Sequence, residues 1–157
     1  MEHFNTAPAE DVRRTLLTCL HSPLWADRLT AHRPYPDVDA LLAAADEAAY
    51  DLTAADLARA LAAESLPALP ADTYSAAHTA LSAAHAAYEA RFGHVFVISL
   101  DGVTPQECLD HVLEAIRSRL SNDPEEERVV AAEELRRLAR GRLVRSLGSA
   151  GNLAPGH

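Results

Sequence analysis

Five side chains in this sequence are candidates for proton transfer or anion binding. Glu64 is a lone carboxylate at the end of a predicted helix, and His78 and His85 lie seven residues apart on the next one. That spacing places the two imidazoles near one helix face, two turns apart. A carboxylate beside an imidazole could deliver a proton, because each shifts the other's pKa. Arg119 and Arg142 could hold an anion.

A metal site is not expected from these residues. The helical spacing that chelates a metal is i and i+4, whereas His78 and His85 are separated by seven positions, and no third ligand is obvious. The sequence also lacks phosphate-binding loops, GxSxG elbows and HExxH or CxxC patterns. We therefore expect no metal ion at these residues.

Each candidate also has an ordinary structural explanation. A glutamate at a helix end, such as Glu64, is usually solvated, and a histidine such as His85 is more often partly buried and bonded to the backbone. Arg119 lies near the end of its predicted helix, where a cation complements the helix dipole. Arg142 belongs to an arginine series that can form salt bridges with glutamates of the same helix. The residue types alone leave both explanations open.

The run Val-Phe-Val-Ile-Ser-Leu at 95–100 is the only β-branched stretch, and it lies between Gly93 and Gly102. Its composition predicts a short extended segment within a helical protein. Extended backbone among helices leaves N–H and C=O groups without local partners. Such groups either bond neighbouring elements or face a ligand, so we expect the site here.

The elements that must position these residues are helices, since Ala and Leu dominate the chain. Start and stop signals predict about seven of them. The predicted fold is an all-α, single-domain bundle over residues 1–147 with one short extended segment, followed by a flexible tail over 148–157. The helices are predicted over Pro8 to Leu20, Pro23 to His32, Asp37 to Tyr50, Ala54 to Ala63, Asp72 to about Arg91, Thr104-Pro105 to about Leu120, and Asn122-Asp123-Pro124 to Leu147.

Composition excludes several classes of function. The 157 residues carry 23 acidic and 14 basic side chains, a formal net charge of -9, which argues against nucleic-acid and anionic-membrane surfaces. Two cysteines cannot form a disulfide framework, and neither a secretory signal nor a membrane-spanning run is visible, so we expect a cytoplasmic protein. Every basic residue is Arg, and the absence of Lys removes any Schiff-base route.

Several blocks occur in an order that resembles the 2-oxo-4-hydroxy-4-carboxy-5-ureidoimidazoline (OHCU) decarboxylases of purine catabolism. The resemblance covers about residues 4 to 147. The more specific blocks are Trp25-Ala26, Arg33-Pro34-Tyr35, Arg91-Phe92-Gly93 with Val95-Phe96-Val97-Ile98, and Arg119-Leu120 with Asn122.

The resemblance implies an all-helical, often homodimeric decarboxylase without a cofactor, acting on a small anionic ring in urate degradation. In the family, backbone groups of the Phe-Val-Ile run line the ring, and arginines hold its anionic groups. The resemblance therefore implies a substrate-binding role for seven residues: Phe96, Val97, Ile98, Ser99, Leu100, Arg119 and Arg142, with Arg119 the stronger candidate for the anion.

The chain departs from the family where the catalytic His-Pro is expected. Ala62-Ala63-Glu64-Ser65 stands there, and the stretch up to Arg91 is about twenty residues shorter than in a typical member. One alignment places the family's Ser-x-x-Glu-Gln motif on residues 75–79. Glu64 and His78 then become a catalytic pair with exchanged positions, and Ser75 and Thr79 become substrate contacts. The other alignment deletes the motif.

Three functional hypotheses therefore remain. The chain could be a working OHCU decarboxylase that makes (S)-allantoin and CO2. It could use the same scaffold for another small anionic substrate in specialised metabolism. It could also be a non-catalytic relic, because a fold does not carry its function when site residues change.

Overall fold

The structure, a computed structural model, describes residues 1–67 and 75–152, with side chains described for all of these except 75–77 and 149–152. The described residues form helices and no strand, which confirms the all-α prediction. Within these ranges, no helix combines the length and the apolar character needed to cross a bilayer. The helices are α1 (Glu2–Thr6), α2 (Ala9–Cys19), α3 (Pro23–Ala31), α4 (Val38–Tyr50), α5 (Ala54–Ala62), α6 (Ser75–Phe92), α7 (Cys108–Leu120) and α8 (Pro124–Asn152).

Local capping explains why three helices begin where the sequence predicts. The Ser22 side chain accepts a hydrogen bond from the backbone N–H of Trp25, and Pro23 occupies the first helical position. Asp37 accepts from the N–H of Ala40 at the start of α4. Thr53 accepts from the N–H of Asp56 at the start of α5. Each cap satisfies a backbone donor that has no partner within its helix.

The structure differs from the predicted helices at one unpredicted helix and two predicted boundaries. The short helix α1 was not predicted at all. Helix α7 begins at Cys108 and not at Thr104-Pro105, because the N–H of Glu107 bonds the carbonyl of Thr104 in a turn. Helix α8 continues to Asn152, past the predicted end at Leu147, since Gly148 weakens a helix by only about 1 kcal/mol and does not stop it. The predicted helix start at Asp72 lies outside the described residues.

The chain divides into two compact units. The first contains Met1–Ala60 and the chain from Arg136 onward. Within it α3 packs against both α2 and α4. The indole N–H of Trp25, which is fully buried, donates to the carbonyl of Ala45 at 3.0 Å and so ties α3 to α4.

The Arg-Pro-Tyr motif has a structural role in this first unit. The Arg33 guanidinium donates to the carbonyls of Phe4 and Ala7 at 3.0 and 2.7 Å, and so holds α1. The Tyr35 hydroxyl donates to the carbonyl of Leu29 at 2.8 Å. The amide of Asn5 donates to the Tyr35 carbonyl and accepts from the Tyr35 N–H, each at 2.9 Å.

The second unit spans Leu61–Leu135 and holds most of the candidate site. Helix α6 packs against α7, and the 95–100 segment contributes to their shared core. Burying these apolar side chains stabilises the unit by roughly 1.5–3 kcal/mol for each large one. The buried core comprises Leu81 and Tyr88 of α6, Phe96 and Ile98 of the segment, and Val112 and Ile116 of α7.

Candidate functional site

The 95–100 segment is neither helical nor paired in a strand. Gly93 and Gly102 bound it at φ +80° and +82°, a left-handed conformation that favours glycine. The N–H of Gly93 bonds the carbonyl of Glu89 at the end of α6. Phe96, Val97 and Ile98 are buried, whereas Ser99 and Leu100 are half-buried.

Arg119 is buried at the end of α7, in an ion pair with the fully buried Glu127 of α8. Its Nε and Nη2 donate to the Glu127 carboxylate at 2.9 and 2.6 Å. Its Nη1 donates to the carbonyl of Val97 at 2.7 Å. The guanidinium carbon also lies 4.2 Å from the centre of the Phe96 ring, a cation–π distance. The positive charge of Arg119 is therefore paired with the Glu127 carboxylate, and its guanidinium also holds the 95–100 segment through the Val97 carbonyl.

The Glu127 carboxylate is satisfied by three side chains. Besides Arg119, the Tyr88 hydroxyl donates to it through a short hydrogen bond, and the amide of Asn122 donates at 3.1 Å. Burial and the bond to Glu127 raise the pKa of Tyr88 well above its ordinary value, so the hydroxyl stays protonated and remains a donor. The cluster is a fully bonded polar network inside an apolar core, the arrangement that fixes geometry most firmly.

Glu134 provides a second hold on the segment. Its Oε1 accepts a hydrogen bond from the backbone N–H of Ser99 at 3.2 Å. Together with the bond from Arg119 to Val97, this gives two backbone groups of the segment that bond side chains of neighbouring helices. Bonding to neighbouring elements is one of the two arrangements expected for backbone groups that have no local partner.

His85 is the buried histidine of α6. The centre of its imidazole ring lies 5.9 Å from the centre of the Phe96 ring, and the residue is 7% exposed. Nδ1 is enclosed and has no hydrogen-bond partner among the described residues. Burial lowers the pKa of His85, which favours the neutral imidazole. The backbone bond expected for this histidine from sequence is therefore absent at Nδ1.

The proposed catalytic pair lies elsewhere in the same unit. Glu64 is half-buried just after α5, and its N–H bonds the carbonyl of Leu61. His78 and Thr79 are exposed near the start of α6. The backbone of Ser75 begins α6, but its side chain lies outside the described residues. No described contact joins Glu64 to His78, so their pairing stays a prediction.

Arg142 belongs to the first unit. It is half-buried on α8, and its Nη1 donates to the carbonyl of Cys19 at 3.1 Å. Neighbouring arginines of the series reach α4, because Arg136 and Arg140 form ion pairs with Asp46 at 3.3 and 2.9 Å. A substrate contact for Arg142 stays a prediction.

The described residues contain no cluster of three His, Cys, Asp or Glu that could hold a metal ion.

Sequence reasoning missed the site roles of Tyr88, Glu127 and Glu134. A signal for Glu127 was present, because Ala131, Leu135 and Ala139 form a buried stripe at four-residue spacing and Glu127 lies one turn before it. A carboxylate on a buried stripe needs a buried partner.

The sequence matches the family model of OHCU decarboxylase over residues 5–65 and 64–144. A search of curated proteins gives no match. Two solved structures are similar at a TM-score of 0.74. One is a crystal structure of (S)-allantoin synthase, 21% identical, with 92% of this chain and 52% of that chain covered, so this chain spans about half the length of that relative. The other, 20% identical, is a crystal structure of OHCU decarboxylase in the presence of (S)-allantoin, with 90% of this chain and 99% of that chain covered.

Proposed function

Because the chain belongs to the OHCU decarboxylase family, we propose that it is a cofactor-independent carbon–carbon lyase that converts OHCU to (S)-allantoin and CO2. The observation that carries the proposal is the family match across nearly all of the described chain. The firmly held 95–100 segment supports it, since the family uses the backbone of this run to line the substrate ring.

The chemistry asks little of the protein beyond binding and proton delivery. The departing carboxylate of OHCU sits on a carbon that also bears a hydroxyl and adjoins an imine. When the bond to the carboxylate breaks, its electron pair moves into the ring towards the imine nitrogen, and CO2 leaves. The hydroxyl then loses its proton as its carbon becomes a carbonyl, while the ring nitrogen and the former imine carbon each gain one, so that one proton is taken up overall. Delivery of the proton to one face of the former imine carbon makes the product a single enantiomer. A group that gains and loses a proton near neutral pH suits that step.

We assign that proton delivery to Glu64 and His78, in exchanged positions relative to the family's catalytic residues. The bonds of Arg119 to Glu127 and Val97 favour a role in holding the segment, and its contact with the substrate anion remains a prediction. By resemblance to the family, we also propose a homodimer, which light scattering on the purified protein would test.

The site assignment is tested by variants measured against OHCU. Glu64→Gln and His78→Ala should each lower the rate of (S)-allantoin formation by about a hundredfold or more, the lower end of what a positioned proton-transfer group contributes. The exposed His111 on α7 offers a matched control, and His111→Ala should retain the wild-type rate. Equal rates in all three variants would exclude Glu64 and His78 as the proton-transfer pair. The buried His85 is unsuitable as a control because its loss would disturb the core.

A second function is favoured by the replacement of the family's His-Pro by Glu64-Ser65. The same scaffold would then bind another small anionic ring in specialised metabolism. Binding of (S)-allantoin without any turnover of OHCU would instead indicate a non-catalytic relic. Isothermal titration with (S)-allantoin alongside the activity assay separates these outcomes.

A further inference from the structure

The imidazole of His85 differs from the polar side chains around it. Its Nδ1 is the single buried side-chain nitrogen or oxygen that has no hydrogen-bond partner among the described residues. By contrast, the Tyr88 hydroxyl and the Arg119 guanidinium, which also contact the Phe96 ring, both bond the Glu127 carboxylate. A buried polar atom without a partner destabilises a protein, and in a native structure it calls for an explanation such as a catalytic role or a bound molecule.

His85 occupies a position on α6 where the helical pattern favours an apolar side chain. Leu81, one turn earlier, and Tyr88, one turn later, lie on the same face and are 6% and 0% exposed. The Phe96 ring, with its centre 5.9 Å from that of the imidazole, is also fully buried. His85 itself keeps 7% of its surface exposed. It therefore lies at the outer edge of this core, where a small molecule has the shortest way to a buried polar atom.

The protonation state of His85 defines what its missing partner is. Burial lowers the pKa of the imidazole, so the ring is neutral at neutral pH. A neutral imidazole donates from one nitrogen and accepts at the other. With the ring proton on Nε2, Nδ1 is an acceptor, and an acceptor of this kind can also take up a proton. The partner that fits it is therefore an O–H group.

We propose that His85 is a further catalytic residue, whose Nδ1 bonds the ring oxygen that is a hydroxyl in OHCU and a carbonyl in (S)-allantoin. This inference rests on the proposed function for its substrate. After CO2 has left, the O–H bond breaks, its electron pair forms the carbonyl, and Nδ1 takes the proton. The electron pair of the carbon–carbon double bond in the ring then binds a proton from Glu64 and His78 at the former imine carbon. The imidazolium of His85 releases its proton to water, so the overall uptake of one proton is unchanged.

Steady-state kinetics with OHCU separate a proton acceptor from a core residue. The side-chain oxygen of asparagine can accept a hydrogen bond but cannot take up the proton, so His85→Asn should lower kcat about a hundredfold or more and keep KM within about threefold. His85→Leu loses the acceptor as well, and its KM should rise about tenfold. Leu81→Val is the matched control for disturbance of the same buried face. It should lower thermal stability and leave kcat unchanged, as would His85→Asn if His85 were merely structural.

Nuclear magnetic resonance of the wild-type protein with ¹⁵N-labelled histidine tests the contact without a variant and without turnover. Addition of (S)-allantoin should shift the Nδ1 resonance of His85, because the product carbonyl oxygen then lies beside it, and should leave the exposed His111 unshifted. An unshifted Nδ1 resonance at saturating (S)-allantoin would overturn the inference. A kcat of His85→Asn within about threefold of an active wild type would also overturn it, since a proton acceptor contributes far more. A wild type that does not turn over OHCU would overturn the proposed function, and the resonance shift would still decide whether His85 contacts the ring.

Discussion

The buried ion pair between Arg119 and Glu127 makes a strong prediction about stability. Arg119→Met would leave the Glu127 carboxylate, which is fully buried, with Tyr88 and Asn122 as its only side-chain partners among the described residues. Removing one member of a buried pair costs about 3–5 kcal/mol, because an uncompensated charge remains in the core. Folded domains of this size are stable by roughly 5–15 kcal/mol. The single variant should therefore lose roughly a fifth or more of the free energy of unfolding.

The double variant Arg119→Met with Glu127→Met should lose less free energy of unfolding than the two single variants lose together. Both charges are then gone, and buried pairs replaced by apolar side chains are often nearly neutral. The Tyr88 hydroxyl and the Val97 carbonyl lose their partner in this variant, which costs about 1–3 kcal/mol for each unsatisfied group. The two single losses should therefore not add.

Urea unfolding followed by far-UV circular dichroism measures this double-mutant cycle. The exposed Arg28–Asp51 pair, at 2.6 Å on the surface of the first unit, is the matched control. Its coupling should be about 0–1 kcal/mol because solvent screens it. A double variant at 119 and 127 that loses the sum of the two single losses would refute the idea that the charges compensate each other.

Two further predictions concern buried groups outside the ion pair. Burial lowers the pKa of His85 below its ordinary 6.5, so the unfolded chain takes up a proton at higher pH than the folded protein, and the free energy of unfolding should fall as pH drops from about 7.5 towards 5. Urea titrations at several pH values should show a weaker pH dependence in His85→Leu, and an unchanged dependence would contradict the burial of this imidazole. Burial also raises the pKa of the Cys19 thiol, which is 1% exposed, so a thiol reagent should modify it within minutes only after unfolding in guanidinium. Rapid modification of Cys19 in the native protein, located by peptide mass spectrometry, would show that this thiol is accessible to the reagent and not buried.

Helix starts were predictable where a local side chain caps the backbone. Ser22, Asp37 and Thr53 each bond an N–H three residues ahead, so their signal is contained in a few positions. Helix α1 was not predictable in this way, because it is held by Arg33 from 26 and 29 residues away. A sequence window cannot show a bond of that span.

The site was predictable in its backbone and not in its side-chain partners. The β-branched run between two glycines indicated an extended segment, and the structure places it in the core. Its holding residues lie 22 and 35 positions away, and no local pattern links them to it. Spacing placed His78 and His85 on one face of α6, but only His85 is buried. Periodicity gives the face of a helix and not the depth to which each turn is covered.

We propose that this chain removes CO2 from OHCU and makes one enantiomer of allantoin. Freshly prepared OHCU, labelled at its carboxylate, is mixed with purified wild-type protein while labelled CO2 and the circular dichroism of (S)-allantoin are followed together. We predict that both signals rise at the same rate, in proportion to protein concentration and well above the spontaneous decay. Release of CO2 at the spontaneous rate, with no optical signal from (S)-allantoin, would contradict the claim.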